Sequence, residues 1–280
     1  IDSASIDRAL TDAFDAPGLR VASSGDLASV FRDAQIVTAN YRVGVGIHAA
    51  IETTTAAAAF ADGVLELWLP TAAPAAARRA AAGAAGIAES AVVIHPVMAG
   101  GGFGATIDPL IAEQAALLAV KLRRPVSLVW SRGEETLHDA YRPPARARMA
   151  ARLAPNGAIL GWSAKIAAPS TGIGLATRIL PGALARAAAI GATGDGYAVA
   201  GATPPYRLPA YAIDHHPADI GVPTGHLRGG AHGYTAFFTE CFLDELAHRA
   251  GNEPLSYRIG MLGGDPRLAR CLSTAAALGG

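Results

Sequence analysis

Residues 91–130 read AVVIHPVMAGGGFGATIDPLIAEQAALLAVKLRRPVSLVW, and four local signals follow one another along them. Ala91 to Val97 is a β-rich run that Pro96 is expected to terminate. Gly100, Gly101, Gly102 and Gly104 come next, with Phe103 between the last two. Asp108-Pro109 then supplies a helix cap followed by proline at the first helical position. Leu110, Ile111, Ala115, Leu118 and Leu122 recur at helical spacing and predict one apolar face, and Pro125 to Trp130 reads as a further strand. The order is strand, glycine loop, helix, strand. Glycines placed before a helix leave backbone N–H groups free to approach an anionic or electron-rich ligand, and the helix dipole reinforces them. A tight turn needing positive φ explains one or two glycines; four in five residues, with Phe103 among them, point to a ligand loop.

Upstream, Ser5 to Phe14 and Asp26 to Ala34 predict two short helical pieces, the first stopped by Pro17-Gly18. Ile36 to Tyr41 predicts a strand and Val43 to Ile51 an alternating one. Asp62-Gly63 between apolar runs predicts a hairpin over Phe60 to Leu69, and Ala75 to Ala85 a helix ended by Gly86. Downstream, Arg142-Pro143-Pro144 is a break. Arg146 to Leu153 and Ile159 to Ile166 form a hairpin pair about Pro155-Asn156-Gly157. Ala168 to Pro209 has little periodicity. Tyr234 to Ala250 predicts a helix with Phe237, Phe238, Cys241, Phe242 and Leu246 on one face, stopped by Gly251, and Glu253-Pro254 opens another to Leu262. The fold expected is α+β, with residues 1–35 a linker or helical segment, 36–136 a first subdomain carrying the glycine loop, and 137–280 a second.

The 280 residues suffice to bury a core without disulfides or structural metal. The 64 alanines account for most of the positive hydropathy, and no uncharged apolar run reaches membrane-spanning length. With 23 basic and 23 acidic residues, nothing favours a nucleic-acid partner. Cys241 and Cys271 can form neither a disulfide framework nor a zinc ribbon. Gly100, Gly102 and Ala105 formally fit a dinucleotide fingerprint, yet no acidic residue ends the next strand, and no Gly-Lys-Ser/Thr closes a phosphate loop. His215, His216, His226 and His232 lack zinc spacing and read as scattered surface or hydrogen-bonded histidines. No G-x-S-x-G elbow occurs. A second loop, Pro223 to His232, holds Arg228, Gly229 and Gly230 just before the long helix. Arg228 can present a fixed guanidinium to an anion or a polarised oxygen, or pair with Glu240, Asp244 or Glu245.

Taken in order, these segments resemble the large subunit of the molybdenum hydroxylases, the xanthine dehydrogenase and aldehyde oxidase family, in its isoquinoline 1-oxidoreductase β-subunit branch. Tyr41-Arg42, His48-Ala49 and Glu52 fall where that branch has a tyrosine-arginine and an "HAxMEP" stretch. Glu66-Leu-Trp68 with Pro70-Thr71 is similar to "ExWxPTQ", and Ala99 to Gly104 to its first cofactor loop. Trp130 to Met149 resembles "WTRxExxxHDxYRP"; Val222 to His232 and Glu240 to Arg258 resemble its second loop and the helices after it.

The resemblance implies a molybdenum held by a pterin dithiolene, in the cytosine dinucleotide form, that hydroxylates N-heteroaromatic or aldehyde substrates with water-derived oxygen. It implies [2Fe–2S] clusters on a partner chain or domain, and Gly101, Gly102, Phe103, Gly104, Arg228, Gly229 and Gly230 as cofactor-binding residues. It assigns no metal ligand from the chain. The family's catalytic glutamate belongs to a C-terminal region for which no matching segment is found by residue 280, so the chain is expected to be about half a large subunit with Ile1 at a cut edge. The compartment stays open between bacterial cytoplasm and periplasm. Ala72 stands where the family carries a glutamine, and Ala105-Thr106 where two arginines are common. These departures motivate the alternative of a family-derived scaffold or interaction domain that binds no cofactor.

Overall fold

The computed structural model describes residues 1–184, 187 and 194–279. Its strands are β1 (Leu19–Ser24), β2 (Val37–Val43), β3 (Thr55–Ala61), β4 (Val64–Leu69), β5 (Val92–Pro96), β6 (Val126–Val129), β7 (Ala145–Leu153), β8 (Ile159–Ala168) and β9 (Tyr211–Pro217). The helices used below are α1 (Ser3–Asp12), α2 (Leu27–Phe31), α3 (Pro74–Ala85), α4 (Leu110–Leu122), α5 (Arg132–Leu137), α6 (Thr171–Ile179), α7 (His232–Arg249), α8 (Pro254–Met261) and α9 (Pro266–Gly279). They build two mixed α/β layers, as the α+β expectation requires.

The smaller sheet runs β5-β4-β3-β6, with β4 and β5 parallel and the other pairs antiparallel. The β3–β4 hairpin turns on Asp62 (φ 50°) and Gly63 (φ 80°), the left-handed pair that a two-residue hairpin loop demands. The chain crosses from β4 to β5 through α3, and α4 lies beside α3 on the same face. Alanine sets the depth of this layer. Ala56 and Ala58 on β3 share one core with Ala77, Ala81 and Ala82 of α3 and Ala112, Ala115, Ala116 and Ala119 of α4, all buried. Methyl groups let helix and sheet approach closely, so the alanine-rich composition is a packing device here. It also corrects the expected face of α4: Ile111 and Ala115 point inward, whereas Leu118 and Leu122 are turned to solvent.

The larger sheet runs β1-β9-β8-β7-β2, antiparallel except between β8 and β9. Ala145, Ala147, Met149 and Ala151 of β7, Trp162, Ala164 and Ile166 of β8, and Ile213 of β9 make its inner face. Helix α7 lies on that face through Tyr234, Phe238, Phe242, Leu243 and Leu246, with Trp162 and Phe242 ring centroids 5.1 Å apart. Phe237, expected inside, is 42% exposed, and Cys241 is only half-buried; the buried stripe takes in Thr235 and Thr239 instead. Arg258 of α8 reaches back to Glu240 (2.7 Å) and Asp244 (2.6 Å) on α7, which locks the two helices as their charges suggested. On the outer face α1 seats Leu10 against Ala167, Ala218 and Ile220, and α2 lies over Gly161.

Sheet membership departs from chain order. Residues 1–35 are not only helix and linker, because Leu19–Ser24 forms an edge strand on β9. Strand β2, expected in the first subdomain, pairs with β7 in the larger sheet. Val43 to Ile51 makes no further strand beyond β2, only the bridge between Gly46 and Arg142. The aperiodic stretch 168–209 contains α6 and a series of turns, part of it outside the described residues. Strand β9 was hidden by its polar centre, Asp214-His215-His216, whose burial rests on the Arg20–Asp214 ion pair and on hydrogen bonds of both histidines. Among the described residues no helix is long and apolar enough to cross a membrane.

Candidate functional site

The first glycine loop leaves the C-terminal end of β5 and enters α4 through a short 3-10 turn at Ala105–Ile107. Gly100 (φ 52°), Phe103 (φ 49°) and Gly104 (φ 113°) all lie in the left-handed region. That conformation is costly for phenylalanine and marks a segment fixed by its surroundings. The loop's carbonyls are used within the chain: Gly102 accepts from Ala105 (2.9 Å), Gly104 from Ile107 (3.2 Å) and Phe103 from Arg228 (2.7 Å). Among the described residues, the N–H groups of Gly100 through Gly104 donate to no group of the chain. Such a run of free donors is a backbone nest for an anionic or electron-rich partner.

The second loop connects β9 to α7. It is held to the segment before β7, with Gly225 donating to Tyr141 (2.9 Å) and Tyr141 to Pro223 (3.2 Å). The two loops meet. Besides the Arg228–Phe103 backbone bond, the Arg228 guanidinium lies 5.6 Å from the Phe103 ring centroid, within cation–π range. Gly104 is pressed against His226, so that a Cβ at Gly104 would collide with the His226 carbonyl oxygen. Gly229 stands in open space and Gly230 lies against the Tyr197 hydroxyl, both at positive φ. Gly101, Gly102, Phe103 and Gly104 thus come to one place with Arg228, while Gly229 and Gly230 continue the wall from the other side. Arg228 does not pair with Glu240, Asp244 or Glu245, which are taken by Arg258, Tyr206 and Tyr41.

Residues assigned no role from sequence join these loops. His48 and Asp139, their side chains 4% and 8% exposed, form an ion pair at 2.7 Å, and Asp139 also accepts the His48 backbone N–H at 2.9 Å. The other ring nitrogen of His48 lies 3.0 Å from the His226 carbonyl. The His226 ring in turn bonds the Tyr197 hydroxyl. His48 and Asp139 stood inside the segments "HAxMEP" and "HDxYRP", so their types were visible while their pairing, 91 residues apart, was not. Beside them a small cleft of about 50 Å³ is lined by His48, Thr54, Ala105, Trp130, Glu135 and Asp139. Ala72 is exposed, and its N–H bonds the Thr106 carbonyl (3.0 Å), which places it next to the first loop. Among the described residues no three His, Cys, Asp or Glu side chains are grouped to hold a metal ion.

The electrostatics follow from burial and partners. Burial works against a charge on His48, but its bonds to Asp139 and the His226 carbonyl, with the charges of Asp139 and Glu135, outweigh it and raise its pKa. An acceptor at each nitrogen calls for a doubly donating imidazolium. His226 is pushed the other way by burial and by the charge on His48. Burial also lowers the pKa of His215, whose Nε2 donates to Ala168 (2.9 Å) and whose Nδ1 accepts from Asp195 N–H (3.2 Å), so no second proton is accommodated.

The sign of each shift predicts a stability profile. The contribution of His48 is complete below its unfolded pKa of ~6.5 and is lost as pH rises through the raised native value. For His215 the unfolded chain takes up a proton that the native state refuses, so stability falls as pH drops below ~6.5. Thermal unfolding between about pH 5 and 8.5 should show His48→Gln flattening the alkaline limb and His215→Gln the acid limb. Unchanged slopes in both variants would contradict these protonation states. Asp139, Glu135, Asp108, His138 and His226 are the titratable groups around His48 whose own ionisation is to be controlled.

Comparison with known proteins bears on the chain as a whole. The molybdopterin cofactor-binding domain model matches residues 14–260. Among curated relatives, a membrane-bound aldehyde dehydrogenase [pyrroloquinoline-quinone] of Gluconacetobacter polyoxogenes is 28% identical over 241 residues, covering 83% of this chain and 30% of the relative. Isoquinoline 1-oxidoreductase subunit beta of Brevundimonas diminuta is 28% identical over 219 residues, covering 78% and 27%. Among solved structures, an aldehyde oxidoreductase from Desulfovibrio desulfuricans superposes with a TM-score of 0.72 at 16% identity, covering 92% of this chain and 29% of that one. Quinoline 2-oxidoreductase from Pseudomonas putida 86 gives 0.63 at 20% identity, covering 88% and 31%. The chain spans under a third of the length of these relatives, less than the half expected from sequence. With the matched region running through both loops and both sheets, this chain belongs to the molybdopterin cofactor-binding domain family.

Proposed function

We propose that this chain supplies one wall of a molybdenum-cofactor site in an oxidoreductase that hydroxylates N-heteroaromatic or aldehyde substrates with oxygen from water. The observation that carries the reading is the apposition of the two loops, with the Arg228 N–H on the Phe103 carbonyl at 2.7 Å and the donors of Gly100 through Gly104 left free. The residues fit an electron-rich, partly anionic group: they offer backbone N–H donors, one guanidinium and little steric bulk. Gly101, Gly102, Phe103 and Gly104 would hold it from one side, and Arg228, Gly229 and Gly230 from the other. The cofactor, in its cytosine dinucleotide form, supplies the redox chemistry. The chain's own task is to orient it through donors that need no rearrangement, since Phe103 and Gly104 are already locked in place.

The glutamate base, the rest of the cofactor contacts and the [2Fe–2S] clusters belong to further segments or partner chains in this reading. Relatives named as an isoquinoline 1-oxidoreductase subunit and an aldehyde dehydrogenase support the substrate class. The test is metal analysis and pterin fluorescence on the full-length protein that carries this segment, together with oxidation of heteroarenes and aldehydes. Near-stoichiometric molybdenum is the expected result, and its absence from the complete assembly would overturn the proposal. Ala72 motivates the cofactor-free scaffold as the second reading. Full occupancy without Ala72→Gln argues against that scaffold; occupancy gained only on restoring the amide supports it.

A further inference from the structure

We infer that Asp139 and His48 are a positioning pair: they hold the His226 carbonyl against Gly104 and thereby set where Arg228 and the free N–H groups of the first loop stand. The inference takes its purpose from the cofactor reading above, while the bonding that carries it belongs to the chain alone.

The pair is built for direction. The bridge between Gly46 and Arg142, with reciprocal bonds of 3.2 and 2.9 Å, brings the segment before His48 alongside the segment after Asp139. Asp139 then uses both oxygens on one residue, taking the His48 backbone N–H at 2.9 Å and its Nδ1 at 2.7 Å. Fixing main chain and ring together leaves Nε2 aimed at the His226 carbonyl, 3.0 Å away. That carbonyl oxygen is the atom Gly104 packs against. The His226 ring is tied separately by the Tyr197 hydroxyl, so the residue is held at both its backbone and its side chain. Two residues on, Arg228 donates to Phe103. The connection therefore runs from Asp139 through His48 and His226 to both loops, and neither Asp139 nor His48 contacts the free donors themselves.

A buried ion pair is a poor way to gain stability, because desolvation offsets most of its attraction, but it is an effective way to fix one geometry. An apolar side chain at position 48 would fill the space without specifying the height of the second loop over the first. Asp139 and His48 are positioning residues in this sense.

Hydrogen exchange by mass spectrometry on the full-length protein tests the pair in Asp139→Asn and His48→Leu, with His48→Gln as the conservative variant that keeps one donor nitrogen. Exchange over residues 99–106 and 223–232 is expected to rise about tenfold in Asp139→Asn or His48→Leu, with β7 and β8 unchanged and partial recovery in His48→Gln. A rise confined to the two loops in either disruptive variant supports the inference. No rise in both, or in both a rise spread equally over β7 and β8, overturns it. Because the exchange readout does not depend on cofactor being bound, a full-length protein that lacks molybdenum but shows the localised rise would refute the cofactor reading and leave the positioning pair standing.

Discussion

Gly104→Ala is expected to separate the two loops and to destabilise the fold by about 3 kcal/mol. Two costs add. Gly104 sits at φ 113°, a conformation that an alanine adopts only under strain. Its added methyl would also collide with the backbone oxygen of His226, which is held by His48 and has no flexible end to swing away. Either Gly104 changes conformation and withdraws Phe103, or the second loop lifts and breaks the Arg228–Phe103 bond. The control is Gly83→Ala in α3, where nothing lies within 4 Å of the new methyl and the helix favours alanine. That change should stabilise by about 0.5–1 kcal/mol. Urea unfolding of the two variants checks the contrast. A Gly104→Ala protein as stable as its parent would mean that the close approach of the loops is not a requirement of the fold.

The first loop and its flanking elements were legible because glycine, proline and Asp-Gly punctuate the chain locally, and such signals act over four or five residues. The hairpin at Asp62-Gly63 and the stop at Gly86 belong to the same class. What the sequence concealed is non-local or depends on what is buried. His48 meets Asp139 across 91 residues and His226 across 178, and no spacing rule encodes either contact. Strand β9 carries Asp214, His215 and His216 in its interior, a pattern that reads as loop until partners for each polar group exist. On helix α4 Ile111 and Ala115 were placed correctly but Leu118 and Leu122 were not, because leucine outranks alanine on any hydropathy scale, whereas close packing on the β3–β4 layer selects the smaller residue. Of the candidate site, residue types were readable from the resemblance, and the joining of the two loops came only with the fold.

The other large effect is expected at Trp162, whose replacement by alanine should cost about 4 kcal/mol, within the range for emptying a buried aromatic site. Trp162 is fully buried on β8 and packs on Phe242 of α7, so its loss opens a cavity under the middle of the helix. The walls are poorly placed to collapse: Ala145, Ala147, Ala151 and Ala164 line the same face and have no longer side chains to relax inward. Trp162→Phe should cost markedly less than the area lost suggests. Among the described residues the buried indole N–H has no hydrogen-bond partner, and removing such a group offsets part of the lost packing. The two variants thus separate volume from polarity at one position in a single denaturation series. The consequence also reaches the site, because α7 begins where the second loop ends, and Tyr234 of its first turn bonds the Ala198 carbonyl. A helix loosened at Phe242 holds that loop less firmly, so Trp162→Ala should speed exchange over residues 223–232 while residues 99–106 respond less. Equal protection of residues 223–232 in Trp162→Ala and its parent would show that the loop is held without help from the packing of α7.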